Sequence, residues 1–390
     1  MEKLVVNNYG SFDVTFVKGK GSTMWDVNGK KYIDFISGIG VNCLGHDYKP
    51  LVKAISRQAR NQIHISNYFF SDIGLEFAKN LLKITNFERA YFGNSGAEAN
   101  EAAIKLARKY GQLNGGDKRK TIVTLESSFH GRTLATLTAT GQSKFHPDCF
   151  APYPDGFKTI KPGDYEALKT AFDDTTAALL MECIQGEGGV NLLDPAWAKA
   201  AADAARAAGA IVMCDEVQTG VGRTGTFLAS DWLGVNPEVV TLAKGIAGGV
   251  PMGACLFRGK AADVFVAGDH QSTFAGNPLA CAAGSVVLET LSDPAFLDRV
   301  NHAGDYIRGK ISSWNLPIVK DVRGKGLMIG TQIDSKIKPF DIEVKCLERG
   351  LCTTTAGADV VRFLPPLVIS DKEIEEGLEI YKSVLEDFCK

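Results

Sequence analysis

Hydrophobic and polar positions follow two different periods along this chain. Near the start, MWDVNGKKYIDF alternates apolar and polar residues on both sides of Asn28-Gly29, which predicts two strands joined by a tight turn. The stretches YKPLVKAISRQARNQ and GLEFAKNLLKI instead place apolar residues three and four positions apart. This spacing predicts two amphipathic helices after the hairpin.

From residue 88 onward, predicted strands alternate with predicted helices. Short apolar strands are predicted at 89–92, 121–127, 177–184, 210–215 and 239–243. A helix is predicted at 97–110, and another begins at the N-cap Asp194, carries Pro195 in its first turn and stops at Gly209. Because strands connected through helices are usually parallel, we expect a mainly parallel sheet with helices on both faces.

A second alternation begins near residue 280 and predicts a smaller α+β domain. It contains a helix at 279–291, a strand at 326–333, a helix at 340–350, a strand at 359–366 and a final helix from Lys372. We expect this segment to join the N-terminal hairpin. The predicted division is therefore 1–55 and 286–390 for the small domain and 56–285 for the large domain.

Composition excludes several classes of function. A net charge of −2 over 390 residues gives no reason to expect nucleic acid or an anionic membrane as a partner. We expect no signal peptide or membrane span, because no apolar run approaches the roughly 18 residues that a span needs. Nine scattered cysteines without CxxC spacing indicate reduced thiols and the cytoplasm, and the six histidines show no metal-ligand spacing, so no metal is expected.

The stretch GAIVMCDEVQTGVGRTG (209–225) contains a literal GxGxxG, but its context does not suit a dinucleotide site. In such a site the strand runs directly into the first glycine and the last glycine opens a helix. Here DEVQT intervenes, and the following residues are poor helix formers. A carboxylate at the end of a buried strand is costly without a facing cation, so Asp215 either caps a turn or faces a cationic ligand atom.

Other strand ends carry further candidate ligand-binding groups. In GNSGAEANEAAIKLARKY, Asn94 and the three residues 95–97 lie between a strand and a helix start, where free N–H groups can bind phosphate. Alternatively, Ser95 and Glu98 form a capping box. In SSFHGRT, Phe129 could stack on a flat ring and Arg132 could bind a carboxylate, or they could be a core aromatic and a surface charge.

Lys244, in TLAKGIAGGVPMG, lies among small and apolar residues. Desolvation there would lower its pKa and supply the neutral amine that a Schiff base needs, although an ordinary surface lysine is the alternative. The hydroxyl of Thr273 lies just ahead of a predicted helix start and could equally belong to a polar turn. Taken together, these groups are the ones that pyridoxal 5'-phosphate requires.

The motifs NSGAEANEAAIKLAR, FHGRT, IQGEGGV, DEVQTGVGRTG, AKG and TFAGNPL stand in the order and spacing of one known family. Over nearly its whole length the chain resembles the class III pyridoxal-phosphate aminotransferases of fold type I. The resemblance implies a large α/β domain with a mainly parallel sheet covered by helices. It also implies a smaller α+β domain built from the N- and C-terminal segments.

The resemblance further implies how the cofactor is bound. Lys244 would form the Schiff base and transfer protons, Asp215 would keep the ring nitrogen protonated, and Gln218 would lie near the ring hydroxyl. Thr273 would reach the phosphate in the neighbouring subunit, which implies a homodimer with shared active sites. The other implied cofactor-binding residues are Ser95, Gly96, Ala97, Phe129 and His130.

Within the family, the resemblance is closest to members that move the terminal amino group of N2-acetyl-L-ornithine to 2-oxoglutarate in arginine biosynthesis. Arg132 would bind the distal carboxylate of glutamate and Arg362 its α-carboxylate. Glu187 would pair with Arg362 when an amine donor is bound, either as a switch or as a permanent ion pair. Ile39 stands where ornithine δ-aminotransferases carry a tyrosine and, with Phe70, would line a pocket for an acylated amine.

Alternatives remain open from the sequence. The amino donor could be succinylornithine, ornithine, 4-aminobutyrate or an acylated lysine, because pockets discriminate weakly against small apolar additions. The same scaffold could support a racemase, a mutase or a decarboxylase. A catalytically silent binding protein and a dinucleotide-dependent oxidoreductase are the hypotheses from other classes.

Overall fold

The computed structural model describes residues 6 and 8–390. Its helices are α1 (Ser37–Gly40), α2 (Lys49–Asn61), α3 (Asp72–Thr85), α4 (Gly96–Gly115), α5 (Leu134–Ala139), α6 (Tyr165–Ala171), α7 (Pro195–Ala207), α8 (Ala229–Leu233), α9 (Pro278–Leu291), α10 (Pro294–Ser313), α11 (Pro339–Glu348) and α12 (Asp371–Asp387). Its strands are β1 (Phe16–Lys20), β2 (Thr23–Asp26), β3 (Lys31–Asp34), β4 (Arg89–Gly93), β5 (Thr121–Leu125), β6 (Phe157–Ile160), β7 (Thr176–Glu182), β8 (Ile184–Gln185), β9 (Asn191–Leu192), β10 (Ile211–Asp215), β11 (Val239–Leu242), β12 (Gly253–Phe257), β13 (Val319–Lys325), β14 (Met328–Ile333), β15 (Leu351–Cys352), β16 (Thr354–Ala356) and β17 (Val360–Phe363).

A seven-stranded sheet forms the centre of the molecule, in the order β4-β12-β11-β10-β7-β5-β6. The strands from β11 to β6 are parallel to their neighbours, whereas β12 runs antiparallel to both β11 and β4. The prediction of a mainly parallel α/β sheet is confirmed. The antiparallel strand β12 was not predicted.

Helices cover both faces of this sheet, and every residue of β7, β10 and β11 is buried beneath them. The side chains of these strands are mostly apolar, as strands covered on both faces require. Alternate side chains of β7 enter two separate cores, as the two-residue period of a strand requires. Leu180 packs in the core that contains Leu106 of α4, and Leu179 packs in the core that contains Trp197 of α7. The doubly covered sheet that the strand–helix alternation predicted is therefore present.

Local signals in the sequence fix several element boundaries. The Oδ1 atom of Asp194 accepts a hydrogen bond from the N–H of Trp197 at 2.8 Å, so Asp194 is the N-cap of α7 as predicted. The hairpin around Asn28-Gly29 is also confirmed as β2 and β3. The stretch 220–225 forms turns, not the start of a helix, and the buried Arg223 donates to the carbonyl of Leu327.

Two smaller four-stranded sheets flank the central one. In the sheet β1-β2-β3-β15, the C-terminal strand β15 pairs in parallel with β3, so that Leu351 lies opposite Ile33. The other sheet, β13-β14-β17-β16, is antiparallel. The N-terminal hairpin thus joins the C-terminal part of the chain in an α+β arrangement, while the boundaries after residues 55 and 285 stay a prediction.

Five parallel strands (β5, β6, β7, β10 and β11) and β4 end at the same edge of the central sheet. β7 ends at Glu182 and β10 at Asp215, which lie side by side in the parallel register. Lys244 follows β11 after one intervening residue, and α4 begins three residues after the end of β4. Ligands of open α/β sheets bind outside such carboxyl ends. None of the helices in the described part of the chain is long and apolar enough to cross a membrane.

Candidate active site

A cavity of about 450 Å³ opens at the carboxyl edge of the central sheet. It gathers residues from chain segments that are far apart in the sequence. The predicted site residues that line it are Ser95, Gly96, Ala97, Phe129, His130, Arg132, Asp215, Gln218 and Lys244. The structure thus places nine of the predicted residues around one space large enough for a small ligand.

The start of α4 forms one wall of the cavity. The Ser95 Oγ atom accepts a hydrogen bond from the N–H of Glu98 at 3.2 Å, and the Glu98 carboxylate accepts one from the N–H of Asn94. The N–H groups of Gly96 and Ala97 lie in the first helical turn, where no partner exists within the helix. The helix cap that the sequence offered as an alternative is therefore present, and it still leaves these two N–H groups free to bind an anion, so the phosphate site stays a prediction.

Glycine at position 96 allows this wall to approach the end of β10. A Cβ atom on Gly96 would lie 2.6 Å from the Cγ1 atom of Val217, which is closer than real side-chain contacts allow. The helix start and the segment after Asp215 can therefore be in contact only with glycine at this position. This close approach brings the free N–H groups of the helix start next to the strand end that carries Asp215.

Asp215 is 4% exposed and accepts hydrogen bonds from three groups. Its Oδ2 atom accepts from Asn100 Nδ2 at 2.7 Å and from His130 Nδ1 at 2.8 Å, and its Oδ1 atom accepts from the N–H of Val217 at 3.0 Å. These three hydrogen bonds hold the carboxylate in one orientation at the end of β10. The reading of Asp215 as a simple turn cap does not account for its side-chain donors.

Lys244 begins a short 3₁₀ turn with a φ of +47°, in the left-handed region that strains residues other than glycine. Burial disfavours its ammonium form and lowers the pKa of Lys244, although the negative charge of Glu187 opposes this effect. A lower pKa leaves more of the side chain as a neutral amine near neutral pH. A strained lysine with a lowered pKa in a cavity is typical of a nucleophilic amine.

Phe129 and Arg132 lie at the mouth of the cavity. The guanidinium of Arg132 lies 5.4 Å from the ring centroid of Phe129 and 4.2 Å from that of Phe145, a distance at which cation–π attraction operates. No acidic partner of Arg132 occurs among residues 6 and 8–390. The side chain is exposed and can pair with a carboxylate of a ligand.

Glu187 and Arg362 form an ion pair, with Glu187 Oε1 2.6 Å from Arg362 Nη1. Gln218 bridges the pair: it donates to Glu187 Oε1 at 3.1 Å and accepts from Arg362 Nη1 at 3.0 Å. Burial opposes the charge of Glu187, but Arg362, Lys244 and Gln218 outweigh it and lower the pKa of Glu187. The predicted pair is therefore present in its closed form, whereas its opening stays a prediction.

Five predicted residues do not line this cavity: the paired Glu187 and Arg362, and the positions Thr273, Ile39 and Phe70. Thr273 is exposed, Ile39 is 43% exposed, and Phe70 is 87% exposed beside a separate cavity of about 250 Å³. In the segment around Ile39, Val41 is the residue that lines the main cavity. The roles assigned to Thr273, Ile39 and Phe70 stay predictions. In a single copy of the chain these residues do not reach the main cavity.

The sequence reasoning missed two buried residues of the site. Glu182 accepts hydrogen bonds from the N–H groups of Phe129 at 2.8 Å and Gly186 at 3.2 Å, and burial together with the charge of Asp215 raises its pKa well above the usual value. Its signal was an acid inside the otherwise apolar run AALLMECI. Asn100 was the second, and its signal was a polar side chain on the buried stripe of α4.

The fold brings a lysine amine, a buried carboxylate and a helix N-terminus together around one cavity. These are the groups that bind pyridoxal 5'-phosphate on a sheet of this type. The chain belongs to the class-III aminotransferases, whose family model matches residues 5–385. This family uses pyridoxal 5'-phosphate, so the predicted family, fold class and cofactor are confirmed.

Similar proteins agree with this assignment. The acetylornithine aminotransferase of Caldanaerobacter subterraneus subsp. tengcongensis is 44% identical, and the match covers 99% of this chain and 98% of that protein. The crystal structure of N-acetylornithine aminotransferase from Stenotrophomonas maltophilia matches with a TM-score of 0.85 at 34% identity over 98% of each chain. A structure of ornithine aminotransferase from Toxoplasma gondii, which shows partial occupancy of PLP, matches with a TM-score of 0.93 at 34% identity over 99% of this chain and 93% of that one.

Proposed function

We propose that this aminotransferase moves the terminal amino group of N2-acetyl-L-ornithine to 2-oxoglutarate and releases N-acetylglutamate 5-semialdehyde and L-glutamate, a step of arginine biosynthesis. The observation that carries the proposal is the closed Glu187–Arg362 pair, 2.6 Å apart, which the cavity-lining Gln218 bridges and whose charges act on Lys244. A closed pair presents no free cation to a terminal amine. The similarity to acetylornithine aminotransferases supports the same donor.

The residues present fit the cofactor. The N–H groups of Gly96 and Ala97 would hold its phosphate, the ring of Phe129 would stack on its ring, and Asp215 would pair with its ring nitrogen. The unpartnered Nε2 atom of His130 marks a buried polar group beside the same space. When bound, the cofactor supplies an electron sink for charge that develops on the substrate carbon next to nitrogen.

Lys244 would transfer the proton during the reaction. As a neutral amine its Nζ atom would accept the proton from the substrate carbon that carries the amino group, hold it, and later release it as a general acid. Asp215 would pair with the ring nitrogen of the bound cofactor, where a negative charge favours the protonated form of that nitrogen. Because the same residues serve both half-reactions, we expect ping-pong kinetics.

Two arginines would recognise two substrates with different carboxylate positions. Arg132, which has an exposed guanidinium, would bind the α-carboxylate of acetylornithine and the distal carboxylate of glutamate. Arg362 would bind the α-carboxylate of glutamate after Glu187 moves away. Arg362 would thus pair with the Glu187 carboxylate when acetylornithine is bound and with the α-carboxylate of glutamate when glutamate is bound. One cavity could then accept both substrates.

We also propose a homodimer in which the second copy completes the site. Tyr68, Phe69, Phe70 and Phe274 expose large aromatic surfaces near Thr273, and apolar patches of this kind mark protein interfaces. The neighbouring Ser272 accepts a hydrogen bond from Asn94 Nδ2 at 2.9 Å, which fixes this loop beside the start of α4. Sedimentation equilibrium should give twice the chain mass, and Phe69→Ser with Phe70→Ser should yield a monomer with weakened cofactor binding.

We propose the cytoplasm as the location of the enzyme. All nine cysteines are free thiols, and seven of them are buried. Reduced cysteines are typical of reducing compartments. Fractionation of the source cells would test this proposal.

A single-turnover titration tests the donor. The cofactor-loaded protein receives acetylornithine, succinylornithine, ornithine or 4-aminobutyrate separately, without 2-oxoglutarate, and the visible absorbance of the bound cofactor is recorded. We expect acetylornithine to bleach the band fastest and 2-oxoglutarate to restore it. A faster reaction with ornithine would favour the alternative suggested by the similarity to ornithine aminotransferase and would refute the role of Ile39.

A further inference from the structure

Asn100 is a buried polar residue in the wall of the cavity for which no function has been assigned. It is 1% exposed and lies in the second turn of α4, on the same buried stripe as Ala103 and Ala107. An amide is costly on such a face unless its hydrogen-bonding capacity is used. Its neighbours on the stripe are alanines, so packing alone does not explain an asparagine.

The side chain of Asn100 links three parts of the site. Its Nδ2 atom donates to Asp215 Oδ2 and to the backbone oxygen of His130, both at 2.7 Å, and its Oδ1 atom accepts from Thr241 Oγ1 at 2.7 Å. Two acceptors face Nδ2, so the flipped amide would direct an oxygen at a carboxylate and a carbonyl. The amide orientation is therefore fixed, and with it the direction of the hydrogen bond to Asp215.

We propose that Asn100 is a positioning residue that acts through Asp215 on the ring nitrogen of the cofactor. It holds Oδ2 of Asp215 in place and stabilises the anion without neutralising it, because an amide carries no charge. The bond to the backbone of His130 also places the second donor, His130 Nδ1, on the same oxygen atom. The inference rests on the proposed function and goes beyond it by assigning the residue that orients the acid partner of pyridoxal 5'-phosphate.

The test compares two cofactors in Asn100→Ala and the wild type. Pyridoxal 5'-phosphate carries the ring nitrogen, and its 1-deaza analogue carries a carbon in that position. Loss of a hydrogen bond to a charged group should weaken binding of pyridoxal 5'-phosphate roughly 10-fold to 100-fold. Binding of the 1-deaza analogue should change much less, because its ring has no nitrogen for Asp215 to pair with.

Three further measurements exclude a purely structural effect. Asn114→Ala removes an exposed asparagine from the same helix and should leave both affinities unchanged. The pH profile of the visible absorbance of the bound cofactor should shift in Asn100→Ala and not in Asn114→Ala. Thermal unfolding of the cofactor-free proteins measures the structural contribution of each asparagine separately.

Equal losses of affinity for the two cofactors, with an unchanged pH profile, would overturn the inference and leave Asn100 a structural residue. If Asn100→Ala does not fold, Thr241→Val removes only the anchor of the amide. We expect a smaller shift in the same direction for that variant, and an unchanged pH profile would again overturn the inference. Failure of the wild type to bind pyridoxal 5'-phosphate would instead refute the proposed function itself.

Discussion

Two carboxylates belong to the same site, and the protein compensates them in different ways. Asp215 is surrounded by hydrogen-bond donors that carry no charge in the neutral form of His130: an amide, an imidazole N–H and a backbone N–H. Glu187, whose side chain is 27% exposed, forms an ion pair with Arg362. Neutral donors stabilise a charge and leave it available to a ligand, whereas an ion pair cancels it until one partner leaves.

The two carboxylates also differ in which structural elements hold them. Asp215 and its donors belong to the central sheet, to α4 and to the loop after β5. These elements pack against one another and line the same cavity. Glu187 follows β8, whereas Arg362 lies on β17 of a flanking sheet. The comparison predicts that the charge of Asp215 is a fixed part of the site and that the charge of Glu187 is an exchangeable part.

The largest effect is expected from Lys244→Ala. Lys244 is the proposed proton-transferring group in both half-reactions, whereas each carboxylate supports only part of the site. Without the proton-transferring amine, the rate of glutamate formation from 2-oxoglutarate should fall by about 10⁴-fold or more. Lys199→Ala, on an exposed helical face, serves as the control. Turnover within about 10-fold of the wild type would show that another group transfers the proton.

Asp215→Asn breaks the fixed charge while preserving the shape of the side chain. We expect a fall of roughly 10²-fold to 10³-fold in turnover, because electrostatic stabilisation at the ring nitrogen is lost. The exposed Asp203→Asn is the matched control. If Asp215 were only a turn cap, the variant would lose thermal stability while its folded fraction kept full activity.

Glu187→Gln removes the exchangeable charge and leaves Arg362 permanently unpaired. Glutamate should then react more readily relative to acetylornithine. We expect the single-turnover rate with glutamate, divided by the rate with acetylornithine, to rise about 10-fold. The free cation favours an α-carboxylate and disfavours a terminal amine at this position. A permanent structural pair predicts instead that both substrates lose the same factor.

The smallest expected effect is a shift in pH dependence. Burial lowers the pKa of Lys244 below its usual 10.5, so the rate of cofactor capture by the cofactor-free protein should rise with pH and level off below pH 10.5. Glu187 stabilises the ammonium form, so in Glu187→Gln the midpoint should move to still lower pH. A midpoint that stays in place or moves upward would contradict the electrostatic link between Glu187 and Lys244.

Much of the fold followed from patterns local in the sequence. The apolar run 210–215 and the N-cap at Asp194 depend on neighbouring residues only, and both predicted their elements correctly. β12 was missed because its five residues, GACLF, are all buried and begin with a glycine, so the run shows neither the two-residue alternation of a half-exposed strand nor a helical period. Its place between β4 and β11 is decided by packing across the sheet.

The candidate site was predictable where a motif carries a ligand-binding group at a strand end. Lys244 and Asp215 are of this kind, and both line the cavity. The bridge that Gln218 forms between Glu187 and Arg362 joins residues from distant parts of the chain, and no local pattern predicts it. Asn100 was overlooked for a related reason, since its function becomes visible only through the groups that it contacts.

The pairing of β15 with β3 also bears on how the enzyme is made. Ile33 is synthesised well before its partner Leu351, with the whole central sheet encoded between them. Until then, the hairpin that contains Tyr32 and Ile33 has an unpaired strand edge and an apolar face without its final cover. Native pairing therefore closes only after the central sheet has been synthesised, and such a high-contact-order step is slow and leaves this edge open to wrong partners in the meantime.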